Sequence, residues 1–419
     1  MLASRFPDPP YGNPMSNPQG GAPEAALNER AMPAPGLFVL LMLAALTALG
    51  QLATNIVVPS LDRIAADVAL EAQAVGLILS SVLVGLALGQ IIVGPLSDRI
   101  GRRPVLFAGL ALYIAAGAGA TFSADGTLLL LARMLQGFGA SAGLAMPRAI
   151  ARDRFHGPQF LRVMAILTGA MSVMPGLAPI IGGVMSDAFG WRSSLGLAVV
   201  CGILVTLGVA ASLPESHHAR DGRGGFGSIL RDYTRVLANR AFLGHALASA
   251  ALIGCAYAEV AAAQPVLVRQ FGWGAFAVSL VTAAYAACFA LAVSLARLIR
   301  GAQARRRAGL LFTLAGGLSI LIAEAAGISG PWVPIAGALL AQIGNGLLLP
   351  LMIGHALMPV GHVAGTAAAA LGALHMLVGA AGAGIVAALP LPVMQALPVT
   401  MLGFGVLAVL ALRWGGEPE

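Results

Sequence analysis

Lysine is absent from this sequence of 419 residues, so all 24 of its basic residues are arginines. The phosphate-binding loop of P-loop ATPases requires the lysine of a GxxxxGK[ST] pattern, and such a loop therefore cannot form. Cysteine is almost absent as well: Cys201, Cys255 and Cys288 lie inside apolar runs, without the spacing of a disulfide framework or a metal site. These absences exclude ATP hydrolysis by a P-loop and predict that the cysteines are packing residues.

Charged residues are scarce. They make up 10% of the chain, whereas 58% of the residues are hydrophobic and the mean hydropathy is +0.87. This composition is too apolar for an average soluble domain. The net charge of +7 would suit nucleic acid in a soluble protein, but here the arginines cluster between long apolar runs. We therefore expect a polytopic membrane protein whose partner is the lipid bilayer, not nucleic acid.

Apolar runs long enough to cross a membrane recur along the chain. A helix needs about 20 residues to cross a ~30 Å hydrocarbon core, and its backbone groups must be hydrogen-bonded within the segment. The predicted spans are 36–59, 73–95, 104–123, 126–147, 160–185, 194–213, 241–265, 275–298, 308–327, 332–354, 363–388 and 394–413. The predicted fold class is an all-α integral membrane protein with twelve transmembrane helices in two six-helix bundles.

The arginines are distributed unequally over the loops. Alternate loops carry clusters at 99–103, 148–162, 220–240 and 297–307, whereas the opposite loops hold only Arg63, Arg192 and Arg269. Because positively charged loops stay on the cytoplasmic side, both termini are expected in the cytoplasm of a bacterial-type inner membrane.

The chain is predicted to divide into five segments. Residues 1–35, rich in Pro, Gly and Asn and lacking the features of a signal peptide, are expected to form a disordered cytoplasmic tail. Residues 36–213 and 241–413 form the two bundles, joined by a cytoplasmic linker at 214–240 that ends in an interfacial helix. Residues 414–419 form a second tail. Two parallel repeats of this kind place a substrate site between them at the membrane midplane.

A charged segment separates the second and third spans and is predicted to be a cytoplasmic turn. Its glycine and charged positions are Gly94, Asp98, Arg99, Gly101, Arg102 and Arg103. Gly94 and Gly101 let the chain reverse within a few residues. The arginines hold Asp98 ionised, so that it can join one helix pair to another; the alternative is a solvated turn acid.

This segment resembles the signature loop between helices 2 and 3 of the major facilitator superfamily, G-x-L-a-D-r-x-G-r-r. The positions in register are Gly94, Leu96, Asp98, Arg99, Gly101, Arg102 and Arg103. The resemblance extends over nearly the whole chain from residue 36 and is clearest in the first half. It implies transport by alternating access, in which this loop stabilises one of two states.

Ionisable side chains inside a span are costly unless paired or hydrated, so each marks a candidate site. Arg133 lies about eight residues, or roughly 12 Å, inside the fourth span, and the alternative is that it snorkels to the headgroups. With Gln136 and Gly137 it forms an Arg-x-x-Gln-Gly pattern. This pattern resembles that of a cavity arginine tied to proton transfer in the superfamily, which implies the same role for Arg133.

The fifth span contains Pro175, Pro179, Gly182 and Gly183, which are predicted to interrupt the helix and to offer a small-residue face. The segment 175–183 resembles the antiporter motif of drug-exporting members of the superfamily. Together with Gly190-Trp191-Arg192 and the segment 364–367, the resemblance narrows to the bicyclomycin and chloramphenicol exporter branch. It implies drug export in exchange for protons.

One position departs from that branch, which has an acid in the first helix four residues before a proline. Here Asn55 precedes Pro59, and an asparagine cannot carry a proton. Glu259, six residues before Pro265, lies at a similar depth in the equivalent seventh span, and we hypothesise that it has taken over the coupling; a purely structural carboxyl is the alternative. Desolvation favours its protonated form and approach of Arg133 its ionised form, so a rocking motion can load and release a proton.

Other polar residues within the spans are candidates for lining a substrate cavity: Asn55, Gln136, Gln264, Gln342 and Asn345. No metal-ligand spacing and no catalytic cluster is visible, so neither a metal nor another cofactor is expected beyond the proton. The leading hypothesis is a monomeric exporter of amphipathic drug-like molecules. The alternatives are import or facilitated diffusion of a small metabolite and, from a different class, an integral-membrane enzyme.

Overall fold

The computed structural model describes residues 36–71, 74–216 and 226–416, apart from the side chains of 158, 161, 226–229, 264 and 361–364. The predicted tail at 1–35, the first part of the linker and the last three residues lie outside these ranges. Within them, twelve helical segments are long and apolar enough to cross a membrane, which confirms the predicted number of spans.

The described residues form fourteen α-helices and no strand. Their bounds are α1 Leu37–Asn55, α2 Leu61–Asp67, α3 Val75–Ile100, α4 Arg102–Thr121, α5 Gly126–Arg154, α6 Gly157–Phe189, α7 Trp191–Ser212, α8 Phe226–Ala238, α9 Arg240–Gln264, α10 Ala275–Leu295, α11 Ala302–Ala325, α12 Trp332–Leu357, α13 Ala364–Ala388 and α14 Val393–Gly415. Short turns of 3₁₀-helix at Val58–Ser60, Ala296–Leu298 and Met358–Val363 and a π-helix at Pro265–Gln270 complete the elements.

The spanning helices pack into two bundles that follow the chain order. In the first bundle α5 packs against α3, α4 and α1, while α6 and α7 also contact α1. In the second, α9 packs against α12, α13 and α14, and α11 packs against α12 and α14. The bundles meet where α3 packs on α13 and α6 packs on α10. This arrangement is the predicted pair of six-helix bundles.

The loops mark two ends of the structure. The arginine-rich end holds the junctions α3/α4, α5/α6 and α10/α11 and the helix α8. The opposite end holds the junctions α4/α5, α6/α7 and α9/α10. Between the ends, many large apolar side chains on the outside of the bundles are exposed, among them Leu131, Leu204, Leu207 and Leu311. Such a surface suits contact with lipid.

Glycines bring backbones together where helices cross. A Cβ added at Gly137 of α5 would collide with the carbonyl of Val82, and one at Gly85 of α3 would collide with the carbonyl of Met134. Helices in lipid gain little from the hydrophobic effect, so close van der Waals contact of this kind holds them together. The α3/α5 crossing therefore depends on the absence of side chains at these two positions.

The turn between the second and third spans is shorter than the sequence predicts. Gly94 and Asp98 lie within α3, which continues through Pro95 to Ile100, and only Gly101 separates α3 from α4. Gly101 has a φ of +99°, a conformation that favours glycine, and its N–H donates to the carbonyl of Ser97. The prediction that Gly94 takes part in the chain reversal is therefore wrong.

The predicted helix break in the fifth span is also wrong, because α6 runs without interruption through Pro175 and Pro179. The two glycines that follow the prolines pack closely against other helices. A Cβ at Gly182 would collide with the carbonyl of Ile56, and one at Gly183 would lie 3.1 Å from Ser279 Oγ of α10. The small-residue face thus packs against both α1 and the other bundle.

The described part of the linker contains the amphipathic helix α8, which packs against α9 and α13. Val236 is buried among Phe242, Ala246 and Ala356 of the second bundle. The Tyr233 hydroxyl donates to the carbonyl of Ile91 in α3 over 3.3 Å. α8 therefore touches both bundles at the arginine-rich end.

Substitution of Gly137 by alanine should destabilise the α3/α5 crossing, since the added methyl group meets backbone that cannot rotate away. We expect a loss of about 1–3 kcal/mol, the usual cost of overpacking. Thermal unfolding of the purified protein in detergent measures it. Gly403→Ala is the control, because Gly403 is exposed on α14 with nothing within 4 Å of an added Cβ. Equal unfolding temperatures for the two variants would contradict this account of the crossing.

Candidate functional site

Glu259 is buried in the last third of α9, five residues before the helix ends at Gln264, inside the second bundle. Its Oε2 accepts a hydrogen bond of 2.7 Å from Nε2 of Gln342 on α12, and its Oε1 accepts one of 3.4 Å from the thiol of Cys255. A carboxyl group removed from water in this way requires such partners or a proton, because an isolated buried charge is very costly. The environment thus allows both protonation states of Glu259.

A small cavity adjoins Glu259 on the side away from the arginine-rich end. Its walls come from α9, α10, α12 and α14 and from the π-helix, with Ala262, Val266, Tyr285, Ile335 and Leu397 among them. The cavity measures about 10 Å³, close to the least that a water molecule needs. π-Helical turns within longer helices are frequent at functional sites. Glu259 therefore lines a cavity that is at most large enough for a single water molecule.

Two of the predicted cavity residues lie near Glu259. Gln342 bonds to it directly, and Asn345 lies about one turn further along α12, towards the arginine-rich end. Asn345 is buried, and neither its Oδ1 nor its Nδ2 makes a hydrogen bond to any described residue. Buried amides are normally satisfied, so an unpartnered one indicates a place where another polar group is accepted.

Arg133 occupies the corresponding depth of the first bundle and is fully buried in α5. Its guanidinium donates to Oε1 of Gln136 over 2.7 Å and to the carbonyl of Ala53 in α1 over 2.8 Å. Among the described residues no carboxylate forms an ion pair with it. Gln136 is buried against Gly117 of α4, so in this conformation it supports Arg133 inside the bundle.

The two predicted coupling residues are in different bundles and belong to separate hydrogen-bond networks. Arg133 and Glu259 share no ion pair in this structure, so the approach assumed from the sequence is not made in this conformation. Asn55 lies at the end of α1, where its amide donates to the backbone carbonyl and to Oε1 of Gln51. The side chain of Gln264, also predicted to line the cavity, lies outside the described part of the structure.

The predicted conformational-switch residues form a cluster at the arginine-rich end around Arg102. This buried side chain binds Asp98 at 2.5 Å and Asp153 of α5 at 3.0 Å, and it donates to Ser97 Oγ. Asp98 thus joins α3 to α4 across the turn, rather than joining one helix pair to another. Arg103 donates to the carbonyl of Ala210 in α7.

Glu215 completes this cluster, and sequence reasoning missed it. Its carboxylate, just after α7, accepts from the backbone N–H groups of Arg102 and Arg103 over 3.1 and 2.9 Å. A carboxylate at the first turn of a helix satisfies donors that have no partner within the helix and interacts favourably with the helix dipole. The only sequence signal was an acid directly after the sixth span, and such residues are common in loops.

The opposite end carries ion pairs that sequence reasoning also missed. Asp62, just inside α2, binds Arg269 of the π-helix at 2.6 Å and so links the bundles. Asp187, at the end of α6, binds Arg63 at 2.8 Å and accepts from the backbone N–H of Phe276 in α10 over 3.2 Å. These contacts therefore link α2 to α6 and to the π-helix, and α6 to α10. A signal was present in the adjacent Asp62 and Arg63, but their partners are distant in sequence.

These features together describe a helical bundle pair with a buried cation in one half and a buried acid in the other. The halves are joined at the opposite end by groups that water can also satisfy. The arrangement holds no cluster of nucleophile, base and acid among the described residues. Its distinctive polar features are the carboxyl of Glu259, buried against neutral partners, and ion pairs between the halves.

Comparison with known proteins agrees with this architecture. The family model described as Major Facilitator Superfamily matches residues 41–383. The chain is 29% identical over 384 residues to Multidrug resistance protein D of Escherichia coli (strain K12), which covers 89% of this chain and 94% of that protein. It is 30% identical over 198 residues to Multidrug resistance protein MdtM of the same strain, covering 46% and 47% of the two chains.

A solved structure of a bacterial homolog to the human lysosomal transporter Spinster, in an inward-facing and unoccupied conformation, has the same fold. The TM-score is 0.70 at 16% identity, with 90% of this chain and 95% of that chain covered. At this identity the likeness concerns the fold alone. The family model, in contrast, matches most of the sequence, and the family consists of transporters rather than enzymes. The chain therefore belongs to the Major Facilitator Superfamily.

Proposed function

We propose that this transporter exports amphipathic drug-like molecules across the cytoplasmic membrane in exchange for protons. The observation that carries the proposal is Glu259, a buried carboxyl in a spanning helix whose hydrogen-bond partners are both neutral. Support for drugs as substrates comes from the full-length similarity to Multidrug resistance protein D of Escherichia coli. Glu259 supplies the ionisable group that Asn55 cannot supply in the first half.

The arginine-rich end is proposed to face the cytoplasm, because cytoplasmic loops retain positive charge. On that assignment Asp62, Arg269 and Asp187 close the extracytoplasmic side. Towards the cytoplasmic side, Thr168 and Ser172 of α6 are exposed although they lie within a spanning helix. Polar side chains exposed at that depth suit a water-filled cavity. The conformation described here is therefore proposed to be the one open to the cytoplasm.

The proposed coupling uses the cation of one half and the acid of the other. When Glu259 is protonated, the second bundle carries no charge at this depth and Arg133 attracts it only weakly. Loss of the proton creates a negative charge opposite Arg133, and attraction between unlike charges in a medium of low dielectric constant favours conformations in which the two are closer. Protonation thus changes the balance between two arrangements of the halves, which is what alternating access requires.

A facilitator of a small metabolite without proton coupling is the second candidate. It is favoured by one observation: the side chain at the end of α1 is the amide of Asn55, bonded to Gln51, and not an acid. The two candidates differ in their response to the proton gradient. A facilitator equilibrates its substrate whether or not the gradient is present, whereas an exchanger accumulates it against a gradient.

Glu259→Gln should abolish drug export driven by a pH gradient, because the amide keeps the hydrogen-bonding shape but holds no extra proton. The measurement is accumulation of ethidium and of a broad drug panel in a pump-depleted bacterial host, with and without a protonophore. Glu324→Gln, the same change near the end of α11, is the matched control and should keep export. Binding of a transported drug to the purified variant should remain measurable.

Export by the Glu259→Gln variant at the unmodified rate would refute the role of this carboxyl. Unchanged sensitivity to every compound when the unmodified protein is expressed would favour the metabolite facilitator over the exporter.

Reversal of one charge at the opposite end should slow transport, because it removes the link between α2 and the π-helix. We expect Arg269→Asp to lower the rate of export about three- to tenfold, equivalent to about 0.6–1.4 kcal/mol. The double variant Asp62→Arg/Arg269→Asp restores opposite charges and should recover most of the rate. Failure of the double variant to recover, with normal amounts of protein in the membrane, would show that this ion pair does not serve as the closing contact.

A further inference from the structure

The buried face of α9 carries polar side chains from Glu259 almost to the arginine-rich end. They are His245, Ser249, Cys255 and Glu259, and all four are buried. At 3.6 residues per turn they fall within an arc of about 120°, and the first and last are about 21 Å apart along the axis. A span surrounded by other helices has no need of polar residues in this pattern for packing, because apolar residues fill such positions at lower cost.

Neighbouring helices add polar groups at the same levels. Nε2 of His375 on α13 lies 2.9 Å from the hydroxyl of Ser249. The ring of His355 on α12 packs edge-on against the ring of His245, with their centres 5.3 Å apart. Three histidines and a serine hydroxyl therefore lie together in the part of the second bundle between Glu259 and the arginine-rich end.

The hydrogen bonds of His245 determine which of its nitrogens can accept a proton. Nδ1 lies 2.9 Å from the carbonyl oxygen of Ala241, which can only accept, so in the neutral ring the hydrogen is on Nδ1. Nε2 is then an acceptor, and it makes no hydrogen bond to any described residue. The side-chain atoms of Asn345, one helical turn from Gln342, are likewise unpartnered among these residues.

We propose that Glu259 exchanges its proton with the arginine-rich end through the interior of the second bundle, along a polar ladder formed by His245, His355, Ser249, His375 and Asn345. The proposal rests on the coupling role proposed for Glu259 and specifies its route, which is separate from the space between the bundles where a drug would bind. Drug and proton can then occupy the protein without competing for one entrance.

Each step along the ladder moves one proton and changes no other bond. An imidazole accepts a proton on one nitrogen and releases one from the other, and a hydroxyl accepts one while it donates its own. The hydroxyl of Ser249 has one hydrogen, and two acceptors are within reach of it: the carbonyl of Ala246 and Nε2 of His375. The hydroxyl can therefore rotate from one acceptor to the other. Asn345 does not titrate; its unpartnered amide can hydrogen-bond a water molecule that would carry the proton past this level. The proton ends on a carboxylate oxygen of Glu259.

Other titratable groups face the two ends of the ladder. The thiol of Cys255 donates to the Glu259 carboxyl, and Tyr285 of α10 lines the cavity beside it. At the other end, His355 lies near the end of α12, and Arg305 and Arg306 lie near the start of α11 at the same arginine-rich end.

The experiment follows protonation of Glu259 directly and needs no drug. The full-length protein in lipid nanodiscs receives a flash of protons from a caged compound, and time-resolved infrared absorption follows the carbonyl band of the protonated acid. Glu259→Gln identifies the band by removing it. We expect His375→Gln, Ser249→Ala and Asn345→Leu each to slow the rise of the band about tenfold or more, with the final amplitude unchanged.

Two variants serve as matched controls. Ser249→Thr keeps the hydroxyl and should keep the fast response, which separates a relay from a packing role at this position. His156→Gln changes an exposed histidine at the start of α6 and should have no effect. Thermal unfolding of each variant verifies that the bundle is intact.

A response as fast as that of the unmodified protein in the three ladder variants would overturn the proposal. Persistence of the carbonyl band in the Glu259→Gln variant would also overturn it, since Glu259 would then not be the proton acceptor. If the ladder variants slow the band while Glu259→Gln still exports ethidium under a pH gradient, the route stands and the coupling role in the proposed function fails.

Discussion

The exclusion of water from the middle of the membrane is the constraint on which the rest of this structure depends. A polar group placed there is costly unless it finds a partner within the protein or in a water-filled space. Arg133 meets this requirement with the carbonyl of Ala53 and the amide of Gln136, and Glu259 with the amide of Gln342. Neither uses an opposite charge. A salt bridge would fix each group in one state, whereas neutral partners leave it able to respond to a change in its surroundings.

The same constraint explains why ion pairs gather at the two ends. Water is present there, so a charge loses less solvation when it is paired and regains it when the pair opens. At the arginine-rich end Arg102 and Glu215 tie α3, α4, α5 and α7 into one unit. At the opposite end Asp62 and Arg269 join different units. The first arrangement makes a bundle rigid, and the second provides contacts that can be exchanged during transport at modest cost.

The two bundles repeat in topology but not in charge. The first contains the buried cation and the charged cluster around Arg102; the second contains the buried acid and the histidines of α9, α12 and α13. Under the proposed coupling at Glu259, binding of a proton changes the charge of the second bundle only. The proposed movement of one bundle against the other then needs no rearrangement inside the first.

Much of this could be predicted from the sequence. Hydropathy and arginine distribution determined the twelve spans, since each span is a local property of about 20 residues. The charged segment at 94–104 identified the family, and Glu259 and Arg133 stood out because ionisable residues are rare in spans. The predictions of a longer turn around Gly101 and of a break in α6 at its prolines were wrong. Packing against distant helices outweighs the local preferences of glycine and proline.

The sequence by itself determined how many times the chain crosses the membrane and which charges lie within it. The reason is that the hydrophobicity of each segment decides, independently of the others, whether that segment can span the bilayer. Only the tertiary structure decided which groups meet. Asp62 and Arg269 are far apart in the chain, as are Ser249 and His375, and Gln342 is brought to Glu259 by the packing of α12 on α9. Such contacts depend on the rotation and separation of whole helices. Those are settled by the fit of small residues such as Gly85 and Gly137 at the crossings, which no single segment specifies.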